Sequence, residues 1–189
     1  VKKYDRSNKI IEQKSSTNKT DRNAGIKDGY CLVLGGENVS QLKDLVFGTS
    51  LNIVVYEKDL NRVQELREYF DKSGVTCDRI SFQHFHNSFP LLPNYFSSLT
   101  IVNDFAYING GQKEELVKLY ETTRPYGGKI IFSGKKREED GLMETLSTLK
   151  LPGAKIQKEK GFSFITREGS LPGASPWTHN YGDIANTVK

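Results

Sequence analysis

Cysteine, methionine, tryptophan and histidine are all scarce in this chain of 189 residues, at two, one, one and three. Cys31 and Cys77 lack CxxC spacing, which argues against a cysteine zinc site and a disulfide framework. They are expected as buried thiols. The three histidines and the scattered acids show no ligand spacing, so no metal site is expected. No apolar run approaches the ~18 residues of a membrane span. The N-terminal stretch is polar and basic and lacks the apolar centre of a signal peptide. Excess charge is missing from most of the chain. Residues 1–29 hold eight Lys/Arg and four Asp/Glu, and the other 160 hold 19 of each sign. A balanced body argues against a nucleic-acid surface, which needs a clustered basic face. The basic arm reads as a solvated linker or as a contact to phosphate or anionic lipid.

What is present starts at Gly29. Tyr30 to Leu34 is a short apolar run that stops at Gly35-Gly36. From Val39 the apolar residues fall at 39, 42, 45 and 46, which is helical spacing. A second apolar run, Leu51 to Tyr56, ends at Glu57, 22 residues after Gly35. Strand, glycine turn, helix, strand and acid make the first βαβ unit of a nucleotide-binding sheet. The turn lets a ligand approach the backbone, and the acid is placed to accept hydrogen bonds from ribose hydroxyls. An ordinary buried βαβ unit without a ligand would also produce this pattern.

The rest alternates at short spacing. A helix is expected over about 61–72, with Asp59 as N-cap and Val63, Leu66, Tyr69 and Phe70 as its stripe. Arg79 to Phe85 reads as a strand with His84 and His86 at its end, Leu99 to Asn103 as a fourth strand followed by Asp104, and Lys129 to Ser133 as a fifth. Helices are expected over Glu114 to Thr123 and from about Glu139 to Leu149. Ala154 to Lys158 and Phe162 to Thr166, joined at Gly161, read as an antiparallel hairpin on the sheet edge. The class is α/β: a mostly parallel seven-stranded Rossmann-like sheet with helices on both faces. Residues 1–25 form a basic extension, 26–169 the α/β domain and 170–189 a linker.

On these residues the chain resembles the class I, S-adenosylmethionine-dependent methyltransferases, over roughly Ile26 to Gly169. The resemblance rests on Leu32-Val33-Leu34-Gly35-Gly36, on Glu57 closing the second strand, and on Arg124-Pro125-Tyr126-Gly127-Gly128. The last is similar to the L-x-P-G-G turn that precedes strand five in that family; the final hairpin adds to it. Leu171 to Thr187, with Trp177 and His179, is similar to a junction in large bacterial proteins, mainly of planctomycete type. There a methyltransferase-like domain adjoins a quinoprotein-type β-propeller. This second resemblance implies a propeller partner and export to the periplasm or cell surface.

The family resemblance implies S-adenosylmethionine as cofactor. It implies cofactor contacts from Gly35, Gly36, Glu37, Asn38, Glu57, Lys58, His86 and Asn103, and a base for the acceptor proton at Asp104, with His84 or His86 as alternatives; taken singly, each of these three residues reads first as a surface or capping residue. The acceptor is not named. The glycine turn departs from the family's G-x-G-x-G, because Glu37 and Val39 stand at its second and third glycines. Valine is a poor fit if that position needs φ > 0. Two readings therefore stand: an active methyltransferase, with an open cleft faced by Glu57, and a degenerate binding or spacer module, with Glu37 or Val39 filling the space beside Gly35. A nicotinamide-dependent oxidoreductase would need glycines at 37 and 40, where Glu37 and Ser40 stand.

Overall fold

A computed structural model of the chain describes residues 25–75, 79–86, 92–133, 136–159, 162–171 and 173–174, without the side chains of 136–140 and 159. Ile10, Ile11, Cys77, the Gly161 turn, Trp177 and His179 lie outside the described residues.

The described elements alternate. Strand β1 (Tyr30–Leu34) leads to α1 (Val39–Gly48), β2 (Asn52–Glu57), α2 (Leu60–Lys72) and β3 (Ile80–His84). Then come β4 (Leu99–Val102), a 3-10 helix (Phe105–Ile108), α3 (Lys113–Glu121), β5 (Gly128–Phe132), α4 (Lys136–Thr148), β6 (Ala154–Glu159) and β7 (Phe162–Arg167). One seven-stranded sheet orders them β3-β2-β1-β4-β5-β7-β6. Five strands run parallel; β7 pairs antiparallel with both β5 and β6. The second strand of the expected hairpin thus inserts beside β5, and the first becomes the edge.

The central strands read as continuous apolar runs because helices cover both faces. Cys31, Val33, Ile53, Val55 and Ile101 face one core, packed by Leu42 and Leu45 of α1 and Val63, Leu66 and Phe70 of α2. Leu32, Leu34, Val102, Ile130 and Phe132 face the other, packed by Leu116 and Leu119 of α3 and Leu142 and Leu146 of α4. Cys31 is buried, as expected. Asp59 caps α2, its carboxylate accepting from the Asn61 N–H at 2.9 Å. Asn38 caps α1 in the same way, accepting from the Gln41 N–H at 3.0 Å.

Two expectations change. Val39 is the first residue of α1 and has no positive φ, so the valine is not strained there. The 3-10 helix after β4 has no counterpart in the sequence reading. Asp104 caps it, its carboxylate accepting from the Ala106 N–H at 2.8 Å, and it closes on Asn109 in the left-handed region at φ 48°.

Candidate functional site: the crevice at the ends of β1, β2 and β4

The sheet order reverses at β1. Its neighbour on one side is β2 and on the other is β4, with connections leaving on opposite faces. Such a switch point opens a crevice outside the strand ends, where open α/β sheets take their ligands. Gly35-Gly36, Glu57-Lys58 and Asn103-Asp104 all leave strands there, and His84 to His86 end the next strand out.

Gly35 has φ 98°, which favours glycine. Its N–H donates to Tyr56 O at 3.0 Å. Asn103 Nδ2 donates to Gly35 O at 2.9 Å and to Gln41 Oε1 at 2.8 Å. Asn103 therefore locks the turn to α1. A Cβ at Gly35 would meet Asn103 Cβ at 3.3 Å and Tyr107 Cε2 at 3.5 Å. A Cβ at Gly36 would meet Leu66 Cδ1 at 2.9 Å and Val55 Cγ1 at 3.2 Å. Both glycines are thus approached by the protein's own atoms. Glu37 and Asn38 are exposed, and Val39 packs toward the α1 core. The space beside Gly35 is taken by Asn103 and Tyr107, not by Glu37 or Val39.

Glu57 is the centre of the site and is 6% exposed. Its Oε2 accepts from the Gly36 N–H at 2.9 Å. Its Oε1 accepts from the Lys58 N–H at 2.7 Å, the Asp59 N–H at 3.2 Å and the Tyr107 hydroxyl at 3.1 Å. The Lys58 N–H is shared with Tyr107 Oη at 3.0 Å. Four donors converge on one carboxylate, close to its full accepting capacity. Burial holds the Tyr107 hydroxyl well above its ordinary pKa; the Lys58 N–H opposes this and the Glu57 charge adds to it.

Tyr107 also has its ring fixed. Phe85 meets it edge-on at 4.9 Å, and the Lys58 ammonium lies 4.7 Å from its centroid. Lys58 Nζ is 5.6 Å from the Phe85 centroid as well. His84 Nε2 donates to Lys58 O at 2.9 Å, and exposed His86 packs on the His84 ring at 4.3 Å. Asp104 is exposed at the rim, engaged in its cap. Gly35, Gly36, Glu57, Lys58 and Asn103 are thus brought together; Glu37, Asn38, His86 and Asp104 line the outside. Tyr107, Phe85 and Gln41 complete the cluster. Tyr107 and Gln41 carried no sequence signal, while Phe85 read as the last residue of the third strand.

Other sites are separate from this one. A cavity of about 400 Å³ lies between α2 and edge strand β3, lined by Arg67, Phe70, Val75, Ile80 and Phe82. It shares no residue with the glycine turn. Among the described residues, no group of three His, Cys, Asp or Glu side chains could hold a metal ion, and no helix is long and apolar enough to cross a membrane.

The strand order and the covered faces match solved methyltransferase structures. A proposed S-adenosyl-L-methionine-dependent methyltransferase from Methanococcus maripaludis superposes with a TM-score of 0.60, at 12% identity, covering 79% of this chain and 81% of that one. A SAM-dependent methyltransferase from Aquifex aeolicus gives 0.58 at 13% identity, covering 77% and 85%. The fold is that of the class I methyltransferases. The [4+2]-cyclase SpnF shares this methyltransferase fold at a TM-score of 0.58, 13% identity and coverage of 74% and 55%. A fold with such neighbours does not fix the chemistry. No family model and no curated protein sequence matches the chain.

The donor types suit an adenosyl cofactor, but their arrangement does not. In a cofactor-binding turn, glycines leave room for the ligand; here Asn103 and Tyr107 take that room at Gly35. The strand-end acid, which would accept from a ribose, accepts from Tyr107.

Proposed function

We propose that this methyltransferase-fold domain is a non-catalytic binding or spacer module with a closed cofactor crevice. The observation that carries this is the Tyr107 hydroxyl 3.1 Å from Glu57 Oε1. A ribose diol needs that carboxylate, and the phenol already holds it. Asp104, the candidate base, is engaged in capping, which supports the same reading. Thermal denaturation with millimolar S-adenosylmethionine tests it. No shift in Tm is expected, because a ligand raises stability only by binding the folded state; a shift of several degrees would overturn the reading.

A second reading is favoured by Glu57 itself. It keeps an acid at the end of β2, beside the β1/β4 switch point. On that reading the domain is an S-adenosylmethionine-dependent methyltransferase whose acceptor is unidentified. Glu57 would hold the ribose, Gly35, Gly36, Glu37, Asn38, Lys58, His86 and Asn103 would surround the cofactor, and Asp104 would take the acceptor proton. The cofactor would supply a methyl group on a sulfonium. Tyr107 would first have to leave.

The division into a basic extension (1–25), an α/β domain (26–169) and a C-terminal linker (170–189) belongs to the same proposal. So does a β-propeller following the linker. Its support is the sequence similarity of Leu171 to Thr187 to such junctions.

A further inference from the structure

We propose that the aromatic surface at the N-terminal ends of β1, β4 and β5 is the seat of the chain's own C-terminal segment, Ser175 to Thr187. This surface lies at the opposite end of the parallel strands from the glycine turn and is independent of the state of the crevice.

The surface is built from exposed rings and arginines. Tyr30, the first residue of β1, is exposed and lies against Phe96 with ring centroids 4.7 Å apart. Tyr95 is also exposed, and the Arg167 guanidinium sits 4.9 Å from its centroid. Tyr126, in the turn before β5, is 75% exposed. It lines a cavity of about 330 Å³ together with Lys27, Asp28, Ser98 and Arg124. Arg124 Nη1 donates to Ser98 Oγ at 3.0 Å, and the Ser98 N–H donates to Tyr30 O at 2.8 Å. The Gly127 N–H donates to Arg167 O at 2.8 Å. These bonds tie the cavity to both arginines and to β1.

Two of the tyrosines hold a costly backbone. Tyr95 has φ 63° and Tyr126 has φ 59°. A bulky side chain is an outlier in that region, where glycine sits without penalty. Burial of their own rings does not offset the strain, because both rings are exposed. Strain kept at a pair of exposed rings points to a surface that is used. Tyrosine and arginine are also the residue types that anchor interfaces.

The C-terminal segment suits this surface in position and chemistry. The Tyr126 N–H donates to Gly169 O at 3.1 Å, and the described chain ends at Ala174. Trp177 follows Gly169 by eight residues, which at ~3.3 Å per extended residue reaches any part of the surface. The segment offers Trp177 and Tyr181 to the exposed rings and Asp183 to Arg124. The N-terminal arm joins the same cavity at Gly25, but residues 1–29 hold eight Lys/Arg against four Asp/Glu. That arm would bring like charge toward Arg124 and Lys27.

Trp177 is the one tryptophan of the chain, so its fluorescence reports on the segment directly. The test is acrylamide quenching of the full chain, of the same chain unfolded in urea, and of a variant combining Tyr30→Ser with Tyr126→Gly. Glycine accepts the φ at position 126, and circular dichroism checks that the variant is folded. If the combined variant fails to fold, Tyr126→Gly alone is read. Wild type is expected to be quenched severalfold less than in urea, with its emission shifted to the blue and no change on dilution. The folded variant is expected to be quenched as in urea. Wild-type quenching equal to that in urea would overturn the proposal. A folded variant that keeps the protection would overturn it too, since Trp177 would then sit on another surface. Protection lost on dilution would assign the surface to a second copy and overturn the intramolecular seat.

Discussion

Glu57 and Tyr107 carry most of the site's energetics. Removing a carboxylate that takes four donors would strand the buried Gly36 N–H and leave the Lys58 N–H with Tyr107 Oη alone. Glu57→Ala is therefore expected to lower stability by about 3 kcal/mol, read from urea unfolding. Tyr107→Phe removes one hydrogen bond to a charged acceptor, for a loss of about 2 kcal/mol. A double-mutant cycle with Glu57→Gln measures the pair directly, and additive losses would contradict the contact. The pH dependence has a definite sign. The folded pKa of Tyr107 is raised, so its contribution is intact below the ordinary tyrosine value of about 10 and is lost as pH rises from there toward the folded value. Wild type should lose more stability than Tyr107→Phe across that alkaline range. Tyr56 and Tyr120, raised in the same direction by burial, are common to both proteins and cancel. Glu57 was legible in the sequence because its position at a strand end follows from the apolar run before it. Tyr107 was not. It lies 50 residues away, and only the packing of β4 beside β1 brings it to that carboxylate.

At the scale of elements, the strands and long helices follow from periodicity, with ends that shift by one to three residues. Helix α4 starts at Lys136 where apolar spacing suggested Glu139, because its first turn carries charged residues that leave no hydrophobic trace. The 3-10 helix is four residues long, too short for any period to register. Its one sequence cue is Asp104, which read as a surface or capping residue as well as a candidate base and is seen as a cap. The glycine turn was located by sequence, but the reason for its glycines was not. Gly36 is required by packing of α2 on β2: a Cβ would sit 2.9 Å from Leu66 Cδ1. Gly36→Ala is expected to cost about 2 kcal/mol by overpacking, measured as a lowered denaturation midpoint. Asn38→Ala, losing the cap of α1, is expected to cost about 1 kcal/mol by the same measurement.

At the scale of the whole molecule, the alternation of elements and the final hairpin made the methyltransferase fold readable from sequence. The state of its crevice depends on side chains crossing between strands that are distant in the chain. Asn103 spans 68 residues to reach Gly35, and Tyr107 spans 50 to reach Glu57. Local pattern carries no record of such contacts. On the proposed reading, the sheet forms a crevice at its switch point and fills it from within. The measurement that bears most directly on this account is calorimetric titration of the unaltered domain with S-adenosylhomocysteine, with NAD as a control. The closed crevice predicts no heat from either ligand at millimolar concentration. Micromolar binding of S-adenosylhomocysteine, lost in Glu57→Ala, would contradict it and establish a working cofactor site.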